Sequence, residues 1–264
     1  MEQLSAFPET DRQAVRGVLF DIDDTLTSEG RLTAAAYGAL ERLHDAGKLC
    51  VAITGRPAGW CDHIARMWPV DGVVGENGAF YFRYDAARNK LIKRFLLDDR
   101  ERAANRSKLE KIGKRILAEV PGVAIASDQP YREADLAIDF REDVPAVPTK
   151  TVDRVVAMFE AAGATAKISS IHVNGWFGSY DKLAMTRIMF DECFGIDLDA
   201  DKQHFVFIGD SPNDAPMFAY FPCAVGVSNV RDFAGRMAAL PAYVSREPSG
   251  AGFTEIAQFL LGVP

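Results

Sequence analysis

Residues 17–27 read GVLFDIDDTLT, a short apolar run that ends in three carboxylates, Asp21, Asp23 and Asp24, within four positions. Like charges at that spacing repel one another, and each becomes costlier to ionise as it leaves water. The rhythm around this stretch decides the fold. Leu32, Ala35, Ala36, Ala39, Leu40 and Leu43 recur at helical spacing and stop near Gly47. Leu49–Ile53 is the next apolar run and ends in Thr54-Gly55-Arg56. Gly72–Val74 then leads into the turn signal Glu76-Asn77-Gly78, with Ala79–Phe82 as an arm of a hairpin. Apolar runs alternating with helical patterns predict a parallel sheet covered by helices.

The middle of the chain reads differently. Leu91–Leu97, Val123–Ala126, Asp135–Phe140 and Ala166–Val173 are strand-like, whereas Glu101–Val120 and Thr151–Ala162 have helical spacing. Two helices among four short strands suit an α+β layer with an antiparallel sheet. After Gly178 the first rhythm returns, with a helix over Lys182–Phe194 and the run Phe205–Ile208 ending in Gly209-Asp210. The expected fold class is α/β: a Rossmann-like parallel-sheet core of residues 1–82 and 177–264, carrying an inserted α+β module of residues 83–176.

Composition narrows the function classes. Of the 264 residues, 48% are hydrophobic and 25% charged, and the net charge of −7 disfavours indiscriminate binding to nucleic acid or anionic membrane. Lys108, Lys111, Lys114 and Arg115 alternate with Glu101, Glu110 and Glu119 and read as a solvated helix face. The four cysteines lack CxxC spacing, and the four histidines fall in no HxxxH or HxH arrangement, so a His/Cys zinc site is not expected. The polar N-terminal stretch has no apolar signal core, and no apolar run approaches bilayer length; the expected compartment is the cytoplasm. The composition leaves the oligomeric state undetermined.

In an open parallel sheet, polar groups at the carboxyl ends of strands converge on one crevice. That rule gathers Asp21 and Asp23, Thr54 and Gly55, and Asp210, Ser211, Asn213 and Asp214 from the later run FVFIGDSPND. Four carboxylates in one small space call for a cation, and hard oxygen ligands with room for water suit Mg²⁺. Lys182, at the start of a helix, is the positive group best placed to balance an incoming phosphate. The Thr54 hydroxyl and the Gly55 backbone can donate hydrogen bonds to phosphate oxygens.

Taken in order, DIDDTLT, AITGRP, the lysine of YDK and GDSPNDAPMF resemble the four sequence motifs of the haloacid dehalogenase superfamily of phosphohydrolases. The insert between the second and third motifs resembles the large α/β cap of the Cof-type, sugar-phosphatase branch. VGVSN at 225–229 and GAGFTEIAQFLL near the end look most like sucrose-phosphate phosphatases. The resemblance implies Asp21 as nucleophile, Asp23 as general acid and then base, Thr54 and Lys182 on the phosphate, and Mg²⁺ held by Asp21, Asp210 and the Asp23 carbonyl. It places Asp214 in or beside the metal shell and Asn213 near the phosphoryl group. Two departures stand out: Asp24 replaces a common glycine, and Leu183 follows the lysine. Asp tolerates a left-handed backbone, so Asp24 is expected to shape the turn.

Several positions carry two readings. Arg56 could pair with a substrate group or cap the preceding turn. His172, Asn174 and Trp176, in SIHVNGWFG, could face the crevice and read a sugar, or simply pack as a strand. Asp128, Gln129, Tyr131 and Arg132 read as a loop. The expected activity is hydrolysis of a small phosphorylated metabolite, a sugar phosphate above all. The alternatives are a sugar phosphomutase, a phospho-acceptor signalling domain and a sugar-phosphate-binding protein.

Overall fold

A computed structural model describes residues 1–263 and contains two sheets. The larger has nine strands, in the order Glu2–Gln3, Tyr243–Val244, Val225–Gly226, Phe205–Gly209, Gly17–Phe20, Leu49–Ile53, Gly72–Gly75, Phe80–Asp85 and Lys90–Phe95. The first seven run parallel, and the last two form an antiparallel hairpin at the edge. The strand that delivers Asp21 lies between Phe205–Gly209 and Leu49–Ile53, in the middle of the sheet.

Each central strand is apolar throughout because both faces are covered. Successive side chains point to opposite faces, so Val18, Phe20, Cys50, Ala52, Val206 and Ile208 enter one core. Helices Ala34–Asp45, Ala58–Met67 and Ser249–Leu261 cover that face with Leu40, Leu43, Ile64, Phe253 and Ile256. Leu19, Val51, Ile53, Phe205 and Phe207 enter the other core, under Met185, Met189 and Phe190 of helix Lys182–Phe194 and Met217 and Phe218 of helix Ala215–Tyr220.

The second sheet is antiparallel, in the order Ala124–Ile125, Leu136–Asp139, His172–Trp176 and Thr165–Ile168. Helix Asp99–Glu119, opened by a reciprocal Asp98–Glu101 capping box, and helix Thr149–Ala161 supply its apolar partners, among them Leu109, Ile116, Val155 and Phe159. Lys108, Lys111, Lys114 and Arg115 lie on the exposed face of the first of these helices. Residues 83–95, which the sequence rhythm assigns to the insert, pair with the large sheet, because the turn at 76–78 returns the chain beside Gly72–Gly75. No helix among the described residues is long and apolar enough to cross a membrane.

Candidate active site

Asp21, Thr54 and Asp210 each follow directly on a parallel strand, so their side chains meet at the carboxyl edge of the large sheet. Asp21 is tied into that edge by its amide, which donates to the Ile208 carbonyl at 2.9 Å. Carboxylate oxygens of Asp21, Asp210 and Asp214 all lie within 4.8 Å of one another, and all three residues are buried. Lys182 reaches them from the first turn of its helix, with Nζ 2.7 Å from Asp21 Oδ1 and 2.7 Å from Asp214 Oδ1. Two glycines permit this approach. A Cβ at Gly78, whose φ is +106°, would sit 2.0 Å from the Asp181 carbonyl oxygen; a Cβ at Gly209 would sit 2.5 Å from Asp214 Oδ2.

The carboxylates have unequal partners. Asp214 is held on both oxygens: Oδ1 accepts from Lys182, and Oδ2 accepts from the amides of Asp210 and Ser211 at 3.0 and 3.2 Å. Asp210 accepts from the Thr25 hydroxyl at 3.1 Å and from the Asn229 amide group at 3.2 Å. Burial pushes the Asp21 carboxyl up to about 8, with Lys182 pulling it down and Asp214 and Asp23 adding to the rise. Asp210 is pushed well above the carboxylate range by burial and by the charges of Asp21 and Asp214. Burial opposes the charge of Lys182, but Asp21 and Asp214 drive its pKa upward.

One ammonium therefore faces three buried carboxylates, a donor set of hard oxygens with charge to spare, and this fits a small divalent cation. The amides of Thr25, Leu26 and Thr27 all donate to the Ile22 carbonyl, which leaves the Asp23 carbonyl out of the hydrogen bonds that close the turn. Asp24 has φ +54°, the turn conformation expected of it, and its carbonyl accepts from Asn229.

The phosphate-loop candidates lie beside the cluster. Thr54 is fully buried, and its hydroxyl accepts from the Arg56 amide at 3.0 Å. Asn213 donates to Asn77 and accepts from Ser211. The Gly55 carbonyl accepts from Arg132 at 2.8 Å.

Arg56 does not stand free for a substrate. Its guanidinium grips Asp23, with Nε 2.9 and 3.0 Å from the two carboxylate oxygens and Nη2 2.7 Å from one of them. The three candidates on strand His172–Trp176 share one face, because Val173 and Gly175 face the insert's own helices, and all three are buried. His172 Nε2 lies 2.9 Å from Glu142, Asn174 donates to Asp135 at 2.8 Å, and Trp176 is buried against Tyr180 with ring centroids 5.5 Å apart. Trp176 packs on Tyr180 while its indole N–H has no hydrogen-bond partner, and Asn174 is bonded within the insert.

Sequence reasoning missed a buried seam between the two sheets. Glu76 accepts from the amides of Ala58, Glu133, Ala134 and Asp135 at 2.6 to 3.2 Å. Arg132, fully buried, pairs with Asp128 and Asp135. A turn glutamate and a loop arginine carry no periodicity, so only the three-dimensional neighbourhood exposes them. Asn229 did have a signal, since it closes the quoted VGVSN.

A family model for haloacid dehalogenase-like hydrolases matches residues 15–221, a span that holds the whole acidic cluster and Lys182. The chain belongs to this family. Among solved structures, a Thermoplasma acidophilum protein superposes with a TM-score of 0.68 at 19% identity, covering 94% of this chain and 98% of that one. The sucrose-phosphatase of Synechocystis sp. PCC6803, solved with sucrose and phosphate, gives 0.63 at 14% identity over 93% and 98%. The sugar phosphatase BT4131, of HAD subclass IIB, gives 0.58 at 17% identity over 95% and 100%. At these identities the likeness is one of fold: a haloacid dehalogenase core bearing a second, antiparallel sheet. No curated protein matches.

Proposed function

We propose that this haloacid dehalogenase-like hydrolase is a Mg²⁺-dependent phosphomonoesterase that acts on a small sugar phosphate through an aspartyl-phosphate. The observation that carries the reading is the buried trio Asp21, Asp210 and Asp214 around a single lysine, with Asp23 held two residues from Asp21 on a separate partner. The haloacid dehalogenase core with its second sheet, shared with the sucrose-phosphatase, supports the substrate class. Residues 96–176 are read as a cap over the catalytic unit.

Asp21, Asp210 and the Asp23 carbonyl would hold the ion, while Asp214 orients the Asp210–Ser211 backbone and Lys182. Bound Mg²⁺ supplies charge neutralisation for the phosphoryl oxygens. An Asp21 oxygen attacks phosphorus, the bond to the leaving oxygen breaks, and that oxygen takes a proton from Asp23. Asp23, now a carboxylate, takes a proton from water as the water attacks phosphorus, which frees Asp21 and inorganic phosphate. Thr54, Gly55 and Asn213 surround the phosphoryl position, and Lys182 offsets its charge.

A panel of sugar phosphates, phosphoglycolate, nucleotides and pyridoxal phosphate, assayed with Mg²⁺ for phosphate release, tests the reading. Release that is strongest on a sugar phosphate and lost in Asp21→Asn is expected. Full activity in a folded Asp21→Asn protein contradicts the mechanism, and an isomeric sugar phosphate without free phosphate would identify a mutase.

A further inference from the structure

Arg56 links the insert to Asp23. The Arg56 guanidinium that grips it is buried, stacks over the Trp60 ring at 4.4 Å, and is held from the insert by Glu142. Nη2 lies 2.6 Å from Glu142 Oε1 and Nη1 3.3 Å from Oε2, with Asp128 a further 3.4 Å contact of Nη1. A planar fork held by carboxylates at both edges has its plane fixed, whereas one partner alone leaves it free to swing.

Glu142 is itself built into place. The amides of Arg141, Glu142 and Asp143 donate to the buried Asp139 carboxylate at 2.8 to 2.9 Å, which shapes the loop. His172 Nε2 approaches Glu142 Oε2 at 2.9 Å from the neighbouring strand. Burial works against ionisation of Glu142, but His172 and Arg56 hold its carboxyl down at about 2.

We propose that Glu142 is a positioning residue for proton transfer: through Arg56 it sets the orientation of Asp23, so the general acid is aligned only when the insert is seated on the core. The inference rests on the roles assigned above to Asp21 and Asp23, and it gives the insert a part in the chemistry as well as in coverage of the site. Proper placement of a proton donor is worth on the order of a hundredfold or more in rate. That gain matters for an alkoxide leaving group and little for one that departs as a stable anion.

The test uses the full chain with Mg²⁺ and two substrates, p-nitrophenyl phosphate and an alkyl phosphate such as glycerol phosphate. Glu142 is 27% exposed, so Glu142→Gln and Glu142→Ala are expected to fold, with thermal unfolding as the check. In both variants kcat for the alkyl ester should fall roughly a hundredfold and kcat for the aryl ester less than about tenfold, with KM little changed. Equal losses on the two esters, or a rise in KM alone, overturn the proposal and make Glu142 a structural or substrate-contacting residue. Asp23→Asn separates the two levels: if it lacks the same leaving-group bias, the role of Asp23 falls and the assignment of Glu142 falls with it.

Discussion

Two buried clusters of charge come within two residues of each other at Asp21 and Asp23, and they are satisfied in different ways. In the seam between the sheets every buried charge has partners supplied by the protein. Glu76 receives four backbone amides, Arg132 lies between Asp128 and Asp135, and Arg56 between Asp23 and Glu142. In the crevice three carboxylates share one lysine, which bonds two of them. The seam is finished by folding. The crevice is left short of positive charge, a shortfall the proposed Mg²⁺ would fill, and that shortfall marks it off from structural polarity.

Substitution should expose the contrast. Asp210→Asn removes a proposed ion ligand and a buried acidic group, so activity with Mg²⁺ should fall by on the order of a thousandfold. The metal-free protein should at the same time melt no lower, and by a few degrees higher, than the wild type. A loss of metal-free stability would place Asp210 with the structural charges. In the seam, Glu76→Ala should do the reverse. It orphans four amides and costs about 2–4 kcal/mol in a urea titration, whatever the Mg²⁺ concentration; a cost that disappears when Mg²⁺ is added would break the comparison.

The smallest effect is in pH. Asp21 titrates near 8 in the folded chain and near 3.8 unfolded, so the native state binds more protons between those values. Its contribution to metal-free stability is therefore full below about pH 4 and is lost as pH rises through about 8. Asp210 shifts in the same direction, and so does Glu76, through burial and Asp135. With Mg²⁺ bound as proposed, the Mg²⁺-dependent part isolates the crevice, because protons and the ion compete for its carboxylates. The rise in Tm caused by Mg²⁺ should grow from pH 5 to pH 8, and a flat profile would contradict ion binding at these carboxylates.

The core was legible in the sequence because both of its signals are local. Alternation in Val18–Phe20, Leu49–Ile53 and Phe205–Ile208 specifies a doubly covered sheet, and the polar residue after each run marks the crevice. Asp21, Lys182, Asp210 and Asp214 converge as their places in that pattern demand. The seam was not legible. Arg56 has two readings as a residue in a turn, and neither names Glu142, 86 positions away. Likewise nothing local distinguishes Asn174, tied to Asp135, from a strand residue free to read a sugar. Long-range pairing of charges leaves no periodicity, and that part of the molecule had to be seen folded.

The central proposal is that Asp21 is the nucleophile that receives the phosphoryl group in this crevice. It is tested most directly by quenching the Mg²⁺-loaded protein in acid during turnover of its best sugar phosphate and locating phosphoryl groups by peptide mass. The account predicts a phosphoryl group on the peptide and residue of Asp21, absent without Mg²⁺ and absent in Asp21→Asn. Turnover that proceeds with no phosphoryl group on Asp21, or with one on another residue, would contradict it.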